Sequence, residues 1–265
     1  MGNKREKKLN KKLMFERRVL FLCTAMVGLS IVLWIVAVST DWWFVVSGEP
    51  NGIYVNETKR YFLKSNSGLW RICRTSFTNL TAATAANATN ITAMGTGDAT
   101  VNTTSKIIIF RFCRSHEMFP GDVKIRADPA IDRNILNYNR SETSFSIISL
   151  LLMIMGFIFS FYTFRNPRYM FKRLAGGIHF LACACVLAVI EVLISSIDYE
   201  QKHLPFTFPK GATYSYGFSF VFAWLVFIML LVSGCSFMIY SRKRKGNKAP
   251  NEEIAMADEP TIIGR

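Results

Sequence analysis

The stretch VLFLCTAMVGLSIVLWIVAVST, residues 19–40, is apolar and carries no charged side chain. A helix of about 20 apolar residues spans the roughly 30 Å hydrocarbon core of a bilayer. Three further blocks of the same kind follow at 144–164, 174–197 and 215–240. We therefore predict a membrane α-helical protein with four transmembrane helices, which excludes a soluble enzyme and a disordered chain.

The basic residues predict the orientation. Residues 1–18 hold eight Lys/Arg against two acids, the link 165–173 holds four against none, and the tail 241–265 holds six against four. By the positive-inside rule these three segments are cytoplasmic. They carry +12 of the formal +14, so topology explains the charge and no nucleic-acid partner is expected. The basic cluster 242–245 has an alternative role, contact with anionic membrane lipids.

The N-glycosylation sequons give an independent estimate of orientation, because glycans are added to segments outside the cytoplasm. Six Asn-X-Ser/Thr sites lie between the first two spans and none elsewhere. Asn139 is close to the membrane and is expected to stay unmodified. The five predicted glycosylation sites are Asn56, Asn79, Asn87, Asn90 and Asn102. Segments 41–143 and 198–214 are therefore predicted to be extracellular loops, and we expect the protein at the plasma membrane.

The larger loop holds two of the six cysteines, Cys73 and Cys113, while the other four lie in or beside spans. Two cysteines in an oxidising compartment allow one pairing, so a Cys73–Cys113 disulfide is predicted. Alternating β-branched and aromatic runs predict a small antiparallel sheet in this loop. The Thr/Ala/Asn-rich insert 76–105 is predicted to be a mobile glycosylated hairpin tip. We expect a short helix over 129–138 and an edge strand over 205–208.

The chain carries no recognisable catalytic or cofactor motif. It lacks a GxSxG elbow, a Walker loop and an HExxH helix, and it has only three histidines. We therefore expect a non-enzymatic protein with no cofactor and no metal.

Two polar residues within the third span are candidate site residues. Glu191 is the one acid inside a span, where a carboxylate costs a few kcal/mol unless it is protonated, paired or hydrated. It either contacts a partner helix or makes an interior hydrogen bond within the bundle. His179 lies about 18 Å away along the helix and about 120° around it, so the two cannot form one site. We expect His179 to be a polar side chain near the inner interface.

The motif residues of the large loop resemble those of a known superfamily. Trp42 and Trp43, then GLWRIC with Gly68, Leu69 and Trp70 before Cys73, and later Cys113, resemble the W…GLW…C…C pattern of claudins. The strings IEVL at 190–193 and TYSYGFSF at 213–220 are similar to voltage-gated calcium channel gamma subunits. They are also similar to the stargazin-like transmembrane AMPA receptor regulatory proteins. The resemblance implies a left-handed four-helix bundle carrying an extracellular sheet.

The same resemblance implies a function. Its gamma-subunit branch implies an auxiliary subunit that modulates gating or trafficking of a pore-forming channel, either a voltage-gated calcium channel or an AMPA-type glutamate receptor. The alternative is a claudin-like adhesion or paracellular barrier protein. The long insert between Cys73 and Cys113 argues against close pairing of sheets between cells. The three loop tryptophans are either recognition aromatics or residues of the membrane interface and sheet packing.

Overall fold

The computed structural model describes residues 2–56, 58–79, 99–102, 107–121, 132–165, 169–205 and 207–241. Within them the chain forms four long helices, each of which contains a segment long and apolar enough to cross a membrane. The helices are α1 (Gly2–Ser39), α2 (Arg133–Arg165), α3 (Tyr169–His203) and α4 (Phe218–Ile239). The prediction of a four-helix membrane protein is confirmed.

The helix bounds differ from the predicted spans. α1 begins at residue 2 and α2 at residue 133, well before 19 and 144, and α3 continues to 203, beyond 197. The ends of an apolar stretch indicate where the hydrocarbon core of the membrane begins and ends. The backbone hydrogen bonds of a helix can continue beyond these points into water. α4 begins at 218, three residues later than predicted, because the residues before it belong to a strand.

The helices form a ring in which α1 contacts α2 and α4, and α3 contacts the same two neighbours. Large apolar side chains with almost no exposed surface fill its centre, together with small residues that allow close approach. Gly156 of α2 is one of these, since a Cβ there would lie 2.8 Å from the His179 ring of α3. The central side chains include Val27, Trp34, Met153, Val186, Val189, Val226 and Leu230.

A seven-stranded antiparallel sheet joins the bundle at one end, as predicted for the first loop. Its spatial order is β5-β6-β4-β3-β1-β7, and β2 pairs with β3 outside this path. The strands are β1 (Phe44–Ser47), β2 (Ile53–Val55), β3 (Arg60–Ser67), β4 (Arg71–Asn79), β5 (Ala99–Asn102), β6 (Ile107–Ser115) and β7 (Thr213–Tyr216). Because β7 comes from the second loop, the sheet ties both loops together.

Three local predictions require correction. The edge strand lies at 213–216 and not at 205–208, because pairing with β1 selects it. No separate helix precedes the second span among the described residues, since α2 runs unbroken from Arg133. Part of the insert 76–105 is strand: β4 continues to Asn79, and β5 (99–102) pairs with β6 through main-chain bonds that do not depend on apolar side chains, while residues 103–106 are not described. Residues 80–98 lie outside the described part of the chain.

Candidate interaction surfaces

Trp43, which follows α1, attaches the sheet to the bundle. Trp43 is fully buried, its indole Nε1 donates to the Ala37 carbonyl at 2.8 Å, and its ring meets that of Trp34 edge to face at 6.1 Å. Trp34 Nε1 in turn donates to the Ser146 carbonyl of α2 at 3.2 Å. Buried indoles need a partner for their N–H, and here both partners are helix carbonyls. Trp43 is therefore a packing residue and not a recognition aromatic.

The GLW residues, in the turn between β3 and β4, pack against the same junction. Gly68 lies directly against the backbone of Thr40 and Asp41, so that an added Cβ would be 2.6 Å from the Asp41 Cα. Arg71 forms an ion pair with the Asp41 carboxylate, and Leu69 is buried. A glycine is required here because the approach leaves no room for a side chain.

The other two loop tryptophans are accessible. Trp70 is 40% exposed, and Trp42 is 38% exposed, stacked on Phe218 at 6.1 Å with the Lys64 ammonium 5.0 Å from its ring. Both remain available to a membrane interface or to a partner.

The predicted disulfide is confirmed. Cys73 of β4 and Cys113 of β6 are directly opposite each other in the antiparallel ladder and are bonded to each other. Their separation of 40 residues encloses the whole insert. Closing a loop of that length stabilises by about 4 kcal/mol in the chain-entropy account.

The sequon asparagines remain predictions. Asn56 is exposed on the turn after β2, whereas Asn79 and Asn102 lie in strands β4 and β5. Asn87 and Asn90 lie outside the described residues. Asn139 is on α2 with its amide Nδ2 3.4 Å from His116 Nδ1, an arrangement that agrees with its exclusion from the glycosylated set.

Glu191 lies on the outer surface of the bundle. Its side chain is exposed, whereas Ile190 and Leu193 beside it are buried in the core. The hydroxyl of Ser195, one turn away, donates a hydrogen bond to the Glu191 backbone carbonyl at 2.9 Å. The alternative of an interior hydrogen bond within the bundle is therefore wrong, and the carboxylate points away from the other three helices. Its contact with a partner stays a prediction.

His179 is fully buried between helices, and its position near the inner interface stays a prediction. Its Nε2 is 2.8 Å from the Ser160 hydroxyl of α2, and its ring packs beside Phe237 of α4 with centroids 5.6 Å apart. The residue joins three helices and is far from Glu191, so its role is interior packing.

A cavity of about 400 Å³ between the sheet and the ends of α2 and α3 escaped prediction. It brings together residues far apart in sequence, among them Arg74, His116 and Glu200. Burial lowers the pKa of the His116 imidazole below its ordinary 6.5, outweighing the hydrogen bond with the Gly68 backbone, which raises it. In the described part of the chain no group of three or more His, Cys, Asp or Glu residues is arranged to hold a metal ion.

Comparison with known proteins places these features in context. The sequence model of the PMP-22/EMP/MP20/Claudin tight junction family matches residues 28–239. The chain is 26% identical over 212 residues to the voltage-dependent calcium channel gamma-5 subunit of Homo sapiens, covering 79% of this chain and 65% of that protein. It is 28% identical over 230 residues to the gamma-1 subunit of Sus scrofa, covering 86% and 89%. It is 27% identical over 195 residues to the human gamma-7 subunit, covering 73% and 59%. The chain thus spans less than two thirds of the gamma-5 and gamma-7 subunits.

Proposed function

Because the chain belongs to the PMP-22/EMP/MP20/claudin family, we propose that it is a gamma-type auxiliary subunit of a pore-forming ion channel. The observation that carries the proposal is similarity to proteins named calcium channel gamma subunits along 73–86% of the chain. The partner is a voltage-gated calcium channel, in keeping with those names, and an AMPA-type receptor is the second channel class to test. The protein is a multi-pass plasma-membrane protein with cytoplasmic termini, a sidedness supported by the basic segments and the sequons.

The close packing of the sheet against the helix bundle gives this function a physical basis. Trp43, Gly68 and the Asp41–Arg71 pair connect the sheet to α1 at several points. The helices and the sheet therefore keep a fixed position relative to each other. A channel that contacts both binds one rigid surface, within the membrane and outside it. Such a surface shifts gating when it fits one channel state better than another, since only differential contact can bias an equilibrium.

Glu191 is the proposed helix contact. An exposed carboxylate facing only lipid is unfavourable by a few kcal/mol, whereas a polar group on a channel helix removes much of that cost. Glu191 shares the exposed face of α3 with Ser195 and Asp198, which follow at the helical spacing of four and seven residues. Glu191 is the one charged residue within the predicted span 174–197, so pairing with it would favour one register of a partner helix over others.

The experiment is co-expression with a voltage-gated calcium channel and, in parallel, with an AMPA-type receptor. We expect changed current amplitude, inactivation or desensitisation in one of them, and unchanged transepithelial resistance when the protein is expressed alone in an epithelial monolayer. Strand-like junctional staining with altered resistance and no effect on either channel would instead support the barrier function.

Glu191→Gln tests the contact itself. We expect channel modulation to weaken by half or more while surface level stays unchanged, because the change is nearly isosteric and the side chain is outside the core. Asp198→Asn is the matched control on the same helix: its carboxylate is exposed and pairs only with Lys202, four residues on, among the contacts described, so modulation should persist. If the Glu191→Gln variant modulates the channel as strongly as the wild type, the proposed contact is contradicted, whereas the family assignment is unaffected.

A further inference from the structure

The cavity between sheet and bundle has two walls of opposite chemical character. One wall is the face of the sheet formed by β3, β4 and β6, and the other is formed by the first turns of α2 and the last turns of α3. Its volume of about 400 Å³ is within the range of small-molecule sites.

The sheet wall carries three arginines, and Glu117, just after β6, is the one acid on that side of the lining. Arg60, Arg74 and Arg114 come from three adjacent strands and all line the cavity. The guanidinium of Arg60 lies 4.1 Å from the centre of the Phe110 ring, and that of Arg74 lies 4.7 Å from the centre of Phe62. A guanidinium stacked by its face keeps its N–H donors at its edge, the geometry that binds phosphate oxygens.

A β-bulge brings a buried hydroxyl onto the same wall. The register of β3 against β4 shifts between Phe62 and Lys64, which reverses the alternation and places Ser65 opposite Arg74. Ser65 is 2% exposed and lines the cavity, and within the described part of the chain its Oγ has no hydrogen-bond partner. A buried hydroxyl left unpaired is costly, so a ligand atom at this position would remove a penalty.

The helix wall is acidic above an apolar base. Glu200 of α3 lines the cavity beside the buried side chains of Leu136 and Leu204. Glu142, which follows on α2 but is not part of the lining, is 4% exposed, and its Oε1 has no hydrogen-bond partner among the described residues. A cationic group beside Glu200 would offset the cost of ionising that carboxyl group in a poorly hydrated place.

We propose that this cavity binds a zwitterionic phosphodiester, with the phosphate against the arginines and Ser65 and the ammonium toward Glu200. A phospholipid headgroup and a soluble glycerophosphodiester share this chemistry. An anion alone would meet the carboxyl groups of Asp132 and Glu200 on the helix wall, and a cation alone would meet the three arginines. A ligand carrying both charges matches both walls, and the apolar base accommodates the adjoining glycerol and first methylene groups.

The test uses the full chain purified in a non-ionic detergent. Thermal unfolding is followed while chain-matched phosphatidylcholine, phosphatidylethanolamine or phosphatidylglycerol is added. We expect half-maximal stabilisation by at least one of the two ammonium-bearing lipids at about tenfold lower concentration than by phosphatidylglycerol, because only their headgroups place a positive charge beside Glu200. Equal or stronger stabilisation by phosphatidylglycerol would overturn the proposal, and this comparison needs no variant.

Two variants assign the preference to the cavity. Glu200→Gln should abolish the advantage of the ammonium lipids, whereas Asp198→Asn, on the same helix but outside the cavity, should retain it. Ser65→Ala should weaken all three lipids alike. A preference that survives Glu200→Gln unchanged would show that the ammonium is bound elsewhere and would overturn the proposal.

Soluble glycerophosphocholine and glycerophosphoethanolamine distinguish the two sources. If either soluble compound stabilises the protein at the concentration at which the phospholipid with the same headgroup does so, the ligand is soluble. Stabilisation by the lipids alone identifies a membrane headgroup. No stabilisation by any of the four ammonium compounds would refute the site.

Discussion

Gly68→Ala is expected to loosen the attachment of the sheet to the bundle. The new Cβ would lie 2.6 Å from the Asp41 Cα and 2.7 Å from the Thr40 carbonyl oxygen, whereas ordinary van der Waals contacts begin at 3.4 Å. The backbone at residues 40 and 41 would have to retreat by about 0.8 Å, the difference between those distances.

That retreat is resisted on both sides. Thr40 Oγ1 is 2.6 Å from the Ser219 hydroxyl of α4, and Asp41 is held by Arg71. Overpacking against a backbone that cannot move typically costs about 1–3 kcal/mol. For a chain of this size, about 2 kcal/mol corresponds to a fall of about 4–8 °C in the melting temperature.

The assay is thermal unfolding of the purified full chain in detergent, beside surface expression in cells. Gly177→Ala is the matched control, because a Cβ at Gly177 meets nothing within 4 Å and alanine favours helix. If Gly68→Ala melts within a degree of the wild type and of Gly177→Ala, the close approach does not constrain the junction, and the explanation of the GLW glycine is refuted.

Three further predictions follow from the same structure. Cys73→Ala should destabilise the sheet by about 4 kcal/mol and cause retention in the endoplasmic reticulum, and free thiols at Cys73 and Cys113 in the mature surface protein would contradict this. Replacing the five predicted glycosylation asparagines by glutamine should abolish the glycosidase-sensitive gel shift; a remaining shift of similar size would contradict the topology or the exclusion of Asn139. Because burial lowers the pKa of His116, the folded state favours its neutral form. The stability contributed by His116 is therefore complete above pH 6.5 and decreases as the pH falls below it. In His116→Gln, the melting temperature should depend less on pH across that range.

Much of the fold was predictable from local patterns. Four apolar blocks were enough to identify the spans, because hydrocarbon demands an uninterrupted apolar helix of a known length. The disulfide was predictable because only two cysteines lie outside the spans and their flanks. The helix ends and the strand at 213–216 were not, because a strand exists only through its partner, and β7 pairs with β1 more than 160 residues away in sequence.

The sequence by itself therefore determined the membrane class, the number of spans, the disulfide and the sheet, each of which follows from composition or from a short motif. Only the tertiary structure decided which face each polar residue occupies. Glu191 and His179 lie on one helix and are both polar, yet the first is exposed and the second is fully buried against Ser160. The cavity likewise exists only where β3, β4 and β6 meet the ends of α2 and α3. Burial and opposed charge are properties of packed surfaces, and no local stretch of sequence contains both surfaces.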